Sequence, residues 1–127
     1  MADIERGNRP LSPHLQVYRP QLTSITSIFT RITGNALIVA ALLITWWFVA
    51  AASGPEAFAR ADWWLTSWLG DLIMFLSLWA LWYHFLAGIR HLMWDNGYGL
   101  ELKTAEKLGL AVIAGSGILT ILTALIV

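Results

Sequence analysis

The sequence predicts an all-α integral membrane domain, with three transmembrane helices preceded by a cytoplasmic N-terminal segment. Three observations carry this reading. The chain has 127 residues, 57% of them apolar and only 13% charged, where a soluble domain carries about a quarter charged residues; its mean hydropathy is +0.63. Three long apolar stretches cover about residues 28–52, 65–93 and 108–127, each able to supply the roughly 20 residues that cross ~30 Å of hydrocarbon. The basic residues are also lopsided. Arg6, Arg9, Arg19 and Arg31 flank the start of the first stretch, and Arg90, Lys103 and Lys107 flank the second loop, whereas only Arg60 lies in the first loop. The positive-inside rule then puts the N-terminus in the cytoplasm and the C-terminus outside. Residues 1–127 read as a single domain. The net charge is zero, which argues against nucleic acid as a partner. With no cysteine, disulfides, iron–sulfur ligation and thiol catalysis are excluded within the chain.

Residues 1–27 form the cytoplasmic and interfacial segment. They carry Pro10, Pro13 and Pro20 and lack the short apolar core of a cleavable signal, so insertion is expected to rely on the first span. Leu11, Leu15 and Val17 suit an extended segment on the membrane surface, and Leu22 to Ile28 a short interfacial turn of helix. Ser24 or Ser27 is a candidate cap for the first span, since a hydroxyl satisfies free N–H groups at a helix start. Trp46, Trp47 and Phe48 mark the far interface as an aromatic belt does. Ser53-Gly54-Pro55-Glu56 stops the helix, and a loop is expected over about residues 53–62. Trp63, Trp64 and Trp68 mark the return into the membrane, with Asp71 an interfacial, structural residue. The second loop, about residues 94–106, holds Asp95, Gly97 and Gly99. The third span is rich in Gly, Ala, Ser and Thr, which let helices approach closely in lipid.

His84 is the residue that asks for an explanation. Counted from Arg90 at ~1.5 Å per residue, it lies about 9 Å inside the cytoplasmic edge. An ionisable group inside a span marks a functional site by default. Two readings stand: a histidine hydrogen-bonded to a neighbouring helix, or an axial ligand of haem iron, for which imidazole is an ordinary ligand. His84, Gly88 and His91 share one helix face, so His84 and His91 cannot hold opposite sides of one iron, and a bis-histidine haem would take its second ligand from another chain. Gly88 clears space for a flat macrocycle or for a helix contact. His91 and Arg90 sit where propionates would lie, although Arg90 also reads as a snorkelling or topology residue. Ser27 and Arg31, four apart at the same membrane edge, can donate hydrogen bonds to a quinone carbonyl or a propionate; they read equally as a helix cap and a topology charge. Asp95 is a candidate partner for Arg31 or Arg90. Nothing resembles a hydrolytic triad, a phosphate-binding glycine loop or a zinc site.

Two motifs carry a family resemblance. His84-x-x-x-Gly88-Ile89-Arg90-His91-Leu92-x-Trp94-Asp95-x-Gly97 resembles a complete signature of the cytochrome b membrane-anchor family of succinate dehydrogenase (respiratory complex II). Arg9-Pro10-Leu11, Leu15, Leu22 and Ser27-x-x-Thr30-Arg31-x-Thr33 resemble that family's other signature, with Thr30 where the family usually has histidine. The resemblance spans about residues 9–100 directly. It implies that His84 is a haem b axial ligand and that a smaller membrane anchor supplies the second one. It implies that Ser27 and Arg31 line a ubiquinone site built with the iron–sulfur subunit and the smaller anchor. It also implies that Arg31, Gly88, Arg90 and His91 lie against the haem or its propionates. Thr30 removes a titratable imidazole from that region.

The expectation is therefore a non-catalytic-for-succinate subunit of a succinate:ubiquinone oxidoreductase in a bacterial inner membrane, anchoring the flavoprotein and iron–sulfur subunits. The alternatives are an anchor of another quinone-linked cytochrome b, such as fumarate reductase, or a haem-less structural anchor.

Overall fold

The computed structural model describes Ser12, His14 and residues 17–127. Arg9, Pro10, Leu11 and Leu15 of the first motif, with the extended segment expected there, lie outside the described residues. Four helices follow: α1 (Leu22–Ser53), α2 (Pro55–Leu65), α3 (Trp68–Asp95) and α4 (Leu102–Ile126). Of these, α1, α3 and α4 are long and apolar enough to cross a membrane, as the composition predicts. At ~1.5 Å per residue, 32, 28 and 25 residues exceed ~30 Å of hydrocarbon, so each helix is long enough to cross with tilt or overhang.

α3 is the central helix, packed against α4, α1 and α2. The faces that meet are rich in small or hydroxyl residues: Thr26, Thr33 and Ala40 on α1, Ala80 and Ala87 on α3, and Gly109, Ser116 and Thr120 on α4, with Tyr83, Arg90 and Val112 buried among them. Large apolar side chains such as Leu42, Phe48, Leu76 and Ile121 point outward. This inverts the soluble pattern for a physical reason. Lipid is as apolar as leucine, so burying large apolar groups gains little there, whereas small residues let backbones pack and polar ones bond across helices.

α1 begins earlier than the expected first span. Its N-cap is Gln21, whose N–H donates to Ser24 Oγ at 3.2 Å. Ser24 therefore serves the cap from within the first turn, and Ser27 does not, because the helix is already running five residues before it. At the other end Gly54, with φ 127°, breaks the helix in a conformation open essentially to glycine alone.

The expected loop over residues 53–62 is instead helix α2. Pro55 occupies its first turn with Glu56; the fixed φ of proline and a carboxylate near the helix N-terminus both favour initiation. The alanine-rich run that follows is a good helix former. Trp47 Nε1 donates to Asp62 Oδ1 at 3.3 Å, tying α2 back to α1, while Trp63, Trp64 and Trp68 are exposed, as interfacial tryptophans are. Ser67 caps α3 by accepting from the Gly70 N–H at 3.2 Å. A Cβ at Gly70 would lie 2.4 Å from two carbonyl oxygens of α2, so this turn is closed to any other residue.

α3 stops at a paired-bond terminus. Tyr98 N–H donates to the Met93 carbonyl and Gly97 N–H to the Trp94 carbonyl, both at 2.9 Å, with Gly97 at φ 79°. This is the Schellman arrangement, which asks for glycine at the left-handed position. The glycine that closes the second motif is thus a helix stop. α4 starts at Leu102, ahead of the expected residue 108, because the polar turn before the apolar run is already helical.

A polar seam and a candidate haem-ligand site

Thr26, Thr30 and Thr33 fall on one face of α1 and turn their hydroxyl protons onto their own helix. Thr26 donates to the Thr23 carbonyl at 3.1 Å, Thr30 to that of Thr26 at 2.9 Å, and Thr33 to that of Phe29 at 2.8 Å. Back-bonding of this kind satisfies the donor within the helix and leaves oxygen lone pairs facing α3.

Three α3 side chains bond to this face, Arg90 through a hydroxyl oxygen and Tyr83 and His84 through backbone carbonyls. Tyr83, 1% exposed, donates its hydroxyl to the Thr26 carbonyl at 3.0 Å. Arg90 Nη1 donates to Thr26 Oγ1 at 3.2 Å. His84 Nδ1 lies 3.1 Å from the Thr30 carbonyl oxygen and 3.5 Å, at the long limit, from Thr33 Oγ1. A carbonyl only accepts, so the contact puts a proton on Nδ1. The other nitrogen, Nε2, makes no hydrogen bond among the described residues, and it is not among the buried unpartnered atoms, of which Arg90 Nε is the one found. It therefore reaches the surface of the helix pair with its lone pair free.

Gly34 makes this posture possible. A Cβ there would lie 3.0 Å from His84 Cε1, tighter than most real contacts, and 3.4 Å from Nδ1, so the ring would have to give by a few tenths of an ångström. Arg90 has a matching glycine on α4: a Cβ at Gly109 would lie 3.2 Å from its Nη1.

Both sequence readings of His84 meet here: it is hydrogen-bonded to a neighbouring helix, and it offers an open ring nitrogen. The arrangement fits haem ligation, since ligating histidines hold their other ring N–H on a carbonyl or carboxylate, which fixes the tautomer. Gly88, one turn further on, has nothing within 4 Å of an added Cβ; its flank is open. His91 is exposed, its ring edge-on to Trp94 with centroids 5.2 Å apart.

Arg90 departs from its snorkelling and topology readings. It is 2% exposed, sealed among α1, α3 and α4, with its guanidinium carbon 4.7 Å over the Trp94 ring. Cation–π contact and the Thr26 hydroxyl take the place of the carboxylate expected at Asp95, which is exposed at the end of α3. Arg90 and His91, paired in the sequence reading, are thus directed apart. Ser27 is half-buried and Arg31 exposed, within the first three turns of α1.

The placement follows one rule. On α3 the buried stripe is Tyr83, Ala87 and Arg90, and His84, Gly88 and His91 follow it by one residue. On α1 the seam is Thr26 and Thr30, and Ser27 and Arg31 again follow by one. A one-residue step turns about 100° around a helix. Thr26 meets Arg90 while Gly34 meets His84, so α1 and α3 run antiparallel, and equal steps on facing antiparallel helices turn toward the same flank. Sequence reasoning missed Thr26, Tyr83, Gly34 and Gly109. The seven-residue spacing of Thr26 and Thr33 was the one available signal. Among the described residues there is no group of three or more His, Cys, Asp or Glu side chains that could hold a metal ion by itself.

Comparison with known proteins agrees with these motifs. The family model described as succinate dehydrogenase/fumarate reductase transmembrane subunit matches residues 5–123. The succinate dehydrogenase cytochrome b556 subunit of Paracoccus denitrificans is 62% identical over 126 residues, 99% of this chain and 97% of that protein. The protein of the same name from Rickettsia conorii is 37% identical over 91% of this chain and 90% of its own length. The succinate dehydrogenase cytochrome b560 subunit of Marchantia polymorpha is 39% identical over 91% of this chain and 88% of its own. With two signatures in register, three spanning helices and a match over nearly its whole length, the chain belongs to the succinate dehydrogenase/fumarate reductase transmembrane-subunit family.

Proposed function

We propose that this chain is the larger membrane anchor of a succinate:ubiquinone oxidoreductase. It shares a haem b with a smaller anchor subunit and contributes to the ubiquinone-reduction site, in a bacterial inner membrane with its N-terminus cytoplasmic. The observation that carries the reading is His84 inside a span, with Nδ1–H held by the Thr30 carbonyl at 3.1 Å and Nε2 open. Haem b, when bound, supplies a one-electron redox centre. His84 would present the Nε2 lone pair to it, and the open flank at Gly88 would admit a flat ring. One helix face offers a single usable imidazole, so the opposite ligand is assigned to the smaller anchor.

Ser27 and Arg31 would hold the quinone. Reducing a quinone takes two electrons and two protons, so its head needs fixed donors near water. A hydroxyl and an exposed guanidinium at the end of α1 provide them, on the flank toward which His84 turns. Docking of the iron–sulfur subunit, which carries the flavoprotein with it, is assigned to the same edge. The chain itself would not oxidise succinate. The family model also covers fumarate reductase, so an anchor working with the opposite net direction is the second reading.

The test is a reduced-minus-oxidised spectrum of the purified complex. His84→Tyr is expected to abolish or displace the b-type band, while His14→Ala leaves it intact; an unchanged band in His84→Tyr sinks the assignment, and a complex with no band at all is a haem-less anchor. Arg31→Ala and Ser27→Ala are expected to lower succinate–quinone activity at least tenfold, about 1.4 kcal/mol in the transition state, while succinate oxidation by an artificial dye is retained. Equal loss of both activities means failed assembly.

A further inference from the structure

We infer that Gly34, with the Thr30 carbonyl and Thr33, forms a clasp on α1 that positions the His84 imidazole and tunes the iron it ligates; this rests on the haem reading above. A helical carbonyl keeps a second lone pair after its own intrahelical bond. A side chain from another helix reaches that lone pair only where the surrounding side chains leave room. At Thr30 the room comes from Gly34, whose missing Cβ would stand 3.0 Å from Cε1 and 3.4 Å from Nδ1 of His84. The ring therefore lies in the notch of Gly34 with its N–H on the Thr30 carbonyl at 3.1 Å. Thr33 closes the other side at 3.5 Å from Nδ1; its own proton goes to the Phe29 carbonyl at 2.8 Å, with the Thr30 carbonyl a longer alternative at 3.1 Å, so it faces the ring as an acceptor.

Two consequences follow. The ring plane is set by α1 before any haem arrives, so the ligand is preorganised. The N–H···O=C bond also pushes electron density toward Nε2, which favours ferric over ferrous iron. Gly34 and Thr33 are positioning residues, acting on the metal through His84. The arrangement also gives Thr30 a part in the site that does not need a titratable side chain: its carbonyl does the holding, and its hydroxyl is spent on the Thr26 carbonyl.

The experiment uses the assembled complex carrying Gly34→Ala, Thr33→Val or His84→Tyr. Haem content per flavin, the midpoint of a redox titration and the low-spin ferric electron paramagnetic resonance spectrum are read, with dye-linked succinate oxidation as the assembly control. Loss of an outer partner of a metal-bound histidine costs roughly 10–100-fold in metal affinity or activity, and the lower end of that range sets the scale here. Gly34→Ala is accordingly expected to raise the reduced-to-oxidised haem ratio at fixed potential about tenfold, which is about 59 mV for one electron, and to move the g values as the ring turns. Thr33→Val is expected to shift both in the same direction by less. Unchanged midpoint and g values in Gly34→Ala overturn the clasp. If that variant fails to assemble, Thr33→Val decides: a shift supports the clasp and an unchanged spectrum overturns it. A haem signal that survives His84→Tyr overturns the haem reading itself, whatever the α1 variants do.

Discussion

Two stripes run down the same helix, one residue apart. Tyr83, Ala87 and Arg90 are 1%, 0% and 2% exposed; His84, Gly88 and His91 are half-buried, half-buried and exposed. Both repeat at the same four- and three-residue intervals, so periodicity cannot tell them apart. The first stripe is largely finished within the chain: Tyr83 and Arg90 Nη1 reach Thr26 although Arg90 Nε finds no partner among the described residues, its aromatic ring packs against Phe29 and Trp79, and Gly109 makes room for its guanidinium. The second is unfinished. His84 has one nitrogen held and the other without a partner among the described residues, and a Cβ at Gly88 would meet none of those residues within 4 Å. Polar groups in a membrane are costly to leave unmet, and the outward stripe is the one whose open positions can be reached from outside the chain.

The comparison breaks most visibly at glycine. A Cβ added at Gly88 meets nothing within 4 Å among the described residues, so with Gly88→Ala insertion and packing of the three helices are expected to survive. Overfilling a packed site costs about 1–3 kcal/mol, so haem per flavin in the complex is expected to fall by about tenfold or more. Haem content equal to the wild type would show that the outward stripe does not face the ring.

The difference between the stripes also sets what could be read from sequence. The three spans, the interfacial tryptophans and the helix stop at Gly54 follow from composition and local backbone preference, and they were legible. Helix α2 was not, because a short run carrying Glu56, Arg60 and Asp62 reads as a polar loop until Pro55 is weighed as an initiator. Arg90 was misread for a deeper reason. Helical spacing shows which residues share a face, but the rotation of that face toward a neighbour depends on small residues of the neighbour, here Thr26 and Gly109. Gly34 escaped for the same reason: nothing near it in sequence hints at an imidazole arriving from fifty residues away.

The inward stripe is tested at Thr26. Arg90 is sealed, its Nε is already without a partner, and Thr26 Oγ1 is its side-chain acceptor. Thr26→Val keeps the shape and removes that acceptor, leaving a buried charge with the Trp94 face alone. Bonds to charged groups contribute about 1.5–3 kcal/mol, so the thermal midpoint of the detergent-solubilised complex is expected to drop by a corresponding amount. With Arg90→Leu already in place the same substitution is expected to be nearly neutral, since the group that needed the hydroxyl is gone. Additive losses in the double variant would show that the two side chains do not depend on each other.

Tyr83→Phe is expected to have the smallest effect, although Tyr83 is among the most buried residues of the bundle. Its hydroxyl donates to the Thr26 carbonyl at 3.0 Å, but that oxygen sits inside α1 and also accepts from Thr30 Oγ1 at 2.9 Å. Removing the tyrosine donor leaves no acceptor stranded, and the ring keeps its contacts with Phe29 and Trp79 at 6.0 and 5.7 Å. Hydrogen bonds between membrane helices average about 0.6 kcal/mol, and a loss of that size is expected here, with the haem band unmoved. A loss as large as that of Thr26→Val would mean that the bonds of the inward stripe act as one network rather than as separate contacts, and a displaced haem band would mean that the two stripes are mechanically coupled through α3.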